Sequence, residues 1–346
     1  MKLTLHRFDL PTRHPFTISR GTTNVQRTLI VELEQDGARG YGEAPECSYY
    51  GATIERITAA LERVRSRVET IDLGEPEEFW ELMRPLLHGN GRTDAPSLAT
   101  FPQCALDVAA YDLWGKLRGA PVWKLWGLSI DHVSPSDYTI GIDLIDVMVE
   151  KLNEFPGFPV YKIKLGTPDD LQIVRSLRQH TDAMFRVDAN CAWDVQETID
   201  NAGPLKELGV ELIEQPLPPD RWDDMERVFR ASVLPVLADE SCQIESDVDR
   251  CAGRFHGINI KLVKCGGLTP ARRMVARARE LDLKVMVGCF TESTVGISAI
   301  AQLLPLLDCV DIDGALLLAK DVASGVSIES GRVVYPQDNG CGVQLL

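Results

Sequence analysis

The chain has 346 residues, enough for one large barrel and a smaller companion unit. A formal net charge of -15 argues against nucleic acid or an anionic membrane as a partner, and no apolar run reaches membrane-spanning length. Nine scattered cysteines without metal-finger or disulfide spacing, and a start (Met1-Lys2-Leu3-Thr4) unlike a signal peptide, lead to the expectation of a cytoplasmic protein with reduced thiols. Six histidines are equally scattered and give no support to a histidine-rich zinc site.

Residues 1 to about 37 read as antiparallel β structure. Leu29, Val31 and Leu33 alternate with Thr28 and Glu32, the pattern of a half-buried strand. Asp36-Gly37 is a hairpin signal, and Gly40-Tyr41-Gly42-Glu43 opens the return strand. Pro15-Phe16-Thr17-Ile18-Ser19-Arg20-Gly21 reads as a polar loop. Helices follow: one capped by Thr53 with Ile54, Ile57, Leu61, Val64 and Val68 on one face, and a second near Glu77 to Leu87. A loop over 88–98 precedes a third, with Leu106, Ala110, Leu113 and Leu117 on its face.

After Gly127 the texture changes to strand–helix alternation. Expected strands are Tyr138–Ile142, Tyr161–Leu165, Phe185–Asp188, Leu212–Glu214, Val236–Asp239, Gly257–Leu262, Lys284–Val287 and Val310–Ile312. Helical patterns lie between them, such as Leu171/Val174/Leu177 and Met274/Ala278/Leu281. Eight strands joined this way imply right-handed crossovers and a closed parallel barrel. No Gly-x-Gly-x-x-Gly follows a strand, which disfavours a dinucleotide fold. The fold class is therefore α/β, with an α+β capping domain over 1–128, completed by the tail 321–346, and a catalytic barrel over 129–320.

In such barrels the chemistry sits at the C-terminal ends of the strands. Asp188, Glu214 and Asp239 close three successive strands, roughly every 25 residues. Three carboxylates in one cup repel, and a hard divalent cation removes the repulsion; all-oxygen donors favour magnesium or manganese over zinc. Lys162 and Lys164 lie two apart on the preceding strand and share a face. Lys261 lies across the barrel on the sixth strand, while Lys264 reads as loop. Ammonium groups crowded by each other and by a metal should titrate nearer neutrality, as a lysine base requires. Two bases flanking one metal could deprotonate a carbon from one face and reprotonate it from the other, with the metal holding a substrate carboxylate.

With Lys-x-Lys, Asp-x-Asn, Glu-Gln-Pro, Ala-Asp-Glu-Ser and Asn-Ile-Lys followed by Gly-Gly, nearly the whole chain resembles the enolase superfamily and its muconate cycloisomerase subgroup. The resemblance implies a (β/α)7β-type modified TIM barrel, Mg²⁺ (with Mn²⁺ as a substitute) on Asp188, Glu214 and Asp239, and Lys164 and Lys261 as the acid/base pair. By the same resemblance Lys162 supports Lys164 and the bound carboxylate. Asp311 and Asp313 are similar to the Asp-x-Asp with which dipeptide epimerases hold a substrate ammonium. Thr139 matches a position that contacts the substrate backbone, and Arg20 one that can pair with a glutamate side chain. The implied substrate is a dipeptide of the L-Ala-D/L-Glu type. N-acylamino acid racemisation, o-succinylbenzoate synthesis and muconate cycloisomerisation use the same constellation and stay open. Arg20–Thr23 and Cys47–Gly51, with Tyr49 and Tyr50, are expected to close over the substrate and Glu292 to line its pocket. Relatives are often homo-oligomers.

Overall fold

β1 (Lys2–Ile18), β2 (Gly21–Gln35) and β3 (Ala38–Pro45) form an antiparallel sheet in the computed structural model, which describes residues 1–89 and 97–346. The loop expected over 88–98 lies mostly outside the described residues. Asp36 and Gly37 both take positive φ, 52° and 79°, as a two-residue hairpin turn requires. The segment expected to be a polar loop is instead the end of the β1–β2 hairpin. Phe16 pairs with Thr23 and Ile18 with Gly21, leaving Ser19-Arg20 as the tip. Its alternation of apolar Phe16 and Ile18 with polar Thr17 was the strand signal.

Strand β2 is buried on both faces from Thr28 to Leu33, not half-buried as its alternation suggests. The two polar residues are admitted because each has a partner. Thr28 donates to Glu43, and Glu32 meets His6 at 3.0 Å. Helices α1 (Ile54–Glu69) and α3 (Ser97–Arg118) cover the sheet, and α2 (Pro76–His88) packs against them. Thr53 caps α1 by accepting from the Arg56 N–H. On α3 Leu106, Ala110 and Leu113 are buried, but Leu117 is exposed. Helix α3 lies directly on β3, and this needs glycine. A Cβ on Gly40 would sit 2.3 Å from the Ala109 carbonyl oxygen, and one on Gly42 2.1 Å from that of Ala105.

Eight parallel strands follow: β4 (Tyr138–Ile140), β5 (Val160–Lys164), β6 (Met184–Asp188), β7 (Val210–Glu214), β8 (Val236–Ala238), β9 (Gly257–Ile260), β10 (Lys284–Gly288) and β11 (Cys309–Asp311). They hydrogen-bond in sequential order, and a Ser136–Val310 bridge draws the first and last together. This is the barrel expected from the strand count. Pairing puts Lys164 beside Asp188 and Asp188 beside Glu214, so these rim residues share one level. Lower down, Arg186 spans the interior to Asp137 (3.0 Å), and Leu212, Leu237, Met286 and Cys309 form a separate small apolar cluster. The helix Ile145–Glu154, absent from the expected helices although Ile145, Met148, Val149 and Leu152 stand at helical spacing, joins β4 to β5. All nine cysteines are free thiols. Among the described residues no helix is long and apolar enough to cross a membrane.

The last residues return to the first unit. Lys116 donates to the Val343 carbonyl, and the Cys341 N–H donates to Asp112. Sheet and barrel are also joined through Glu43 on β3. Its buried carboxylate accepts from the Ser293 N–H, the Ser293 hydroxyl and the Gly296 N–H, at the start of the helix Thr294–Ala301. A carboxylate suits a helix N-terminus, where N–H groups lack internal partners.

Replacing Gly42 by alanine should destabilise the fold by about 1–3 kcal/mol, since only backbone surrounds the new methyl. The check is a melting curve, in which Gly42→Ala lowers the midpoint; an unchanged midpoint would mean that α3 gives way freely.

Candidate active site

The mouth of the barrel gathers the lysines and acids singled out there from the sequence, Glu292 excepted. Asp188, Glu214 and Asp239 offer oxygens that all lie within 4.8 Å of one another, and none of the three side chains reaches solvent. Two like charges at this separation repel by roughly 3–4 kcal/mol at an effective dielectric constant near 20. Burial and Asp188 together push Glu214 up to about 7. A cluster of oxygen donors that cannot all ionise alone fits a hard divalent cation.

The lysines are the cluster's protein partners. Lys162 Nζ lies 2.6 Å from Asp311, 2.7 Å from Glu214 and 3.5 Å from Asp188. Lys164 Nζ lies 2.6 Å from Asp188, and Lys261 Nζ 2.8 Å from Asp239. β5 and β9 stand four strands apart in an eight-stranded ring, so Lys164 and Lys261 face each other across the acids. At Lys162 the carboxylates oppose the expected fall in basicity. Burial does lower Lys162, but Asp311, Glu214 and Asp188 more than offset it and hold the ammonium well above its ordinary value. Lys261 is raised in the same way, mainly by Asp239 against its own burial. Asp239 in turn is held well below the carboxylate range, because Lys261 and Lys264 outweigh its burial.

Lys264 corrects the sequence reading. It is not in a loop but on a helical turn, Leu262–Cys265, and is fully buried. Its Nζ donates to the Asp239 carboxylate (2.5 Å) and to the Asp239, Cys242 and Asn259 carbonyls. A lysine enclosed by Leu262, Val263 and Cys265 was itself the signal. Two amides also went unnoticed. Asn259 donates to Glu214 (2.7 Å), and Gln215 accepts from the Asp239 and Ser241 N–H groups. Asn190 and Gln215 both take positive φ, 45° and 33°, a conformation non-glycine residues seldom adopt, held here by these hydrogen bonds.

Across the mouth, Asp313 accepts from the Thr139 N–H (2.6 Å) and hydroxyl (3.2 Å). Thr139 thus positions Asp313 as well as lining the pocket. Burial and the neighbouring Asp311 push Asp313 up to about 7, whereas Lys162 and Lys164 outweigh burial at Asp311 and keep it low. Arg20 reaches over from the hairpin tip. Its guanidinium is 2.7 Å from Glu240, donates to the Asn190 carbonyl and stacks 4.4 Å from the Tyr49 ring centroid. Together these groups enclose a cavity of about 330 Å³, lined also by Cys47, Tyr50 and Phe290, a size suited to a small two-residue ligand. Glu292 does not line it. It is buried behind Phe290 and accepts from the Phe290 N–H.

A capping sheet over a parallel barrel whose mouth carries lysine and carboxylate rows defines the enolase-type architecture. Residues 2–127 match the mandelate racemase / muconate lactonizing enzyme N-terminal domain, and residues 147–346 match the enolase C-terminal domain-like family. The chain belongs to the enolase superfamily, in its mandelate racemase / muconate lactonizing enzyme branch. It is 51% identical, over the full length of both chains, to the L-Ala-D/L-amino acid epimerase of Flavobacterium johnsoniae. The substrate-liganded L-Ala-D/L-Glu epimerase of Bacillus subtilis superposes with a TM-score of 0.91 at 27% identity, covering 99% of each chain. The Enterococcus faecalis dipeptide epimerase complexed with Mg and L-Leu-L-Tyr gives 0.88 at 28% identity, covering 99% of this chain and 98% of that one. These similarities make the chain an enzyme of the isomerase class.

The buried acids set a pH dependence. Burial and Glu43 push Glu292 up to about 8, so the folded state keeps a proton that the unfolded chain has released. Stability is therefore lost as pH rises from the ordinary carboxylate range through about 8. Glu292→Gln removes this contribution. Its melting temperature should fall less than that of the parent between about pH 5 and pH 8; parallel curves would contradict the assignment.

Proposed function

We propose that the protein epimerises dipeptides at the α-carbon of their C-terminal residue, by proton transfer between Lys164 and Lys261. The observation that carries this reading is the pair of ammonium groups facing each other across one acid cluster, each hydrogen-bonded to a different member of it. In the direction where Lys164 is the base, it takes the α-proton from one face as the substrate carboxylate gains charge, and Lys261 returns a proton to the other face. The opposite configuration exchanges the two roles. Asp188, Glu214 and Asp239 would hold Mg²⁺, which when bound supplies positive charge against the charge developing on the carboxylate. The Mg²⁺ complexes of related dipeptide epimerases support this choice.

Lys162 keeps Asp311, Glu214 and Asp188 fixed with respect to one another. Asp311 and Asp313, the latter braced by Thr139, suit the substrate's N-terminal ammonium. An acyl-blocked or a dianionic substrate has no ammonium for them, which disfavours N-acylamino acid racemisation in the first case and o-succinylbenzoate synthesis and muconate cycloisomerisation in the second. The name of the Flavobacterium johnsoniae relative supports L-Ala as the first residue.

Incubation in D₂O with a set of L-Ala-Xaa dipeptides should introduce deuterium at the C-terminal α-carbon alongside inversion. Absence of label from every dipeptide would remove the proposal. Lys164→Ala and Lys261→Ala should each reduce epimerisation by about 10²–10⁴-fold. Each variant should still exchange the α-proton of one epimer, and the two should retain opposite ones. Exchange of both epimers by either variant would exclude one base per face.

A further inference from the structure

Arg20 is the cation best placed to read an acidic substrate side chain, and it is already engaged. It lies on the β6–β8 side of the mouth, across from Asp311 and Asp313. Its Nη2 is 2.7 Å from Glu240 Oε1, and its Nη1 is 2.9 Å from the Asn190 carbonyl oxygen. One face of the guanidinium is covered by Tyr49, 4.4 Å from the ring centroid. Glu240 is 1% exposed, and its second oxygen, Oε2, has no hydrogen-bond partner among the described residues. Besides Arg20, a long 3.5 Å contact from the Asn190 amide is the one hydrogen bond that reaches this carboxylate among those residues.

The asymmetry of the pair decides what the pocket accepts. Arg20 sits at a hairpin tip and is partly solvated, whereas Glu240 is enclosed next to Asp239. Drawing Arg20 away would leave a buried carboxylate beside another one, and a buried ion stripped of its partner is far costlier than a solvated one. An anionic side chain entering here must therefore share Arg20 with Glu240. A neutral side chain has no such competitor. It meets a wall without net charge, together with the apolar surfaces of Ile18, Tyr49 and Phe290.

We propose that Glu240 is a specificity-determining residue: by holding Arg20, it turns the site toward dipeptides whose C-terminal residue carries an uncharged side chain, and away from acidic ones. This rests on the dipeptide reading above and sharpens it. It replaces the glutamate-type substrate suggested by the presence of a loop arginine alone.

L-Ala-L-Glu and L-Ala-L-Gln are nearly isosteric and differ by one charge, so their ratio of kcat/KM isolates the effect. The parent enzyme should favour L-Ala-L-Gln. Glu240→Gln should release Arg20 and raise the Glu/Gln ratio at least tenfold. Arg20→Gln should lower it at least tenfold, because Glu240 then faces the substrate unopposed. Arg20 is at an exposed tip, so this variant and the parent ratio keep the test decisive if Glu240→Gln does not fold, as judged by its melting curve. A parent preference for L-Ala-L-Glu of tenfold or more would overturn the inference. So would a ratio within twofold of the parent's in a folded Glu240→Gln. Failure of the parent to act on any dipeptide would instead remove the underlying reaction.

Discussion

At the floor of the barrel mouth, the single ammonium of Lys162 lies within 3.5 Å of Asp188, Glu214 and Asp311. These groups come from β5, β6, β7 and β11, which include both sides of the barrel's seam. Each acid would be expensive to bury unpaired, and each is affordable beside the shared cation. The parallel register provides this, since Lys162 lies level with Thr139 and Arg186 while Lys164 lies level with Asp188. Alternate residues of one strand thus serve two depths. Lys162 fastens the acids from below, and Lys164 meets the cavity above them.

The barrel was legible because buried parallel strands are written as short apolar runs, and those that close on Asp188, Glu214 and Asp239 end in a charge that has no place in a core. The eight strands differ from their expected limits by only a residue or two at most ends. Residues whose roles depend on neighbours distant in sequence were not legible. Nothing near Arg20 in the chain announces Glu240, 220 positions on, and nothing near Thr139 announces that it holds Asp313. The hairpin tip was misread because its proline and polar residues imitate a loop. Lys264 was misread because a lysine just past a strand end is ordinarily solvated. The basicity of Lys162 was misjudged by counting cations against one another and omitting the carboxylates around it.

The motifs that carried the family resemblance have a local physical reading. Asp-x-Asn works because Asn190, in a left-handed conformation, folds its N–H back onto Asp188 at 2.8 Å. Glu-Gln-Pro works because Gln215 lends its amide oxygen to the N–H groups of Asp239 and Ser241 on the next segment. Neighbouring rim acids are thereby oriented by backbone amides rather than by their own rotamers alone. Positive φ at both positions is the conformational strain that accompanies this arrangement.

The clasp between Glu43 and the start of the helix Thr294–Ala301 has a mechanical consequence. Swinging the whole N-terminal unit off the barrel would strip a buried carboxylate of three donors at once. The parts outside that clasp are the fingertip Ser19-Arg20 and the short turn around Tyr49, and the fingertip is tied in its turn to Asn190 and Glu240. Displacing it would cost Glu240 its partner but would leave the contacts of Lys162, Lys164 and Lys261 as they are. Its contacts are also separate from theirs, so the lining of the cavity can change at the fingertip while the rows of lysines and acids below stay as they are.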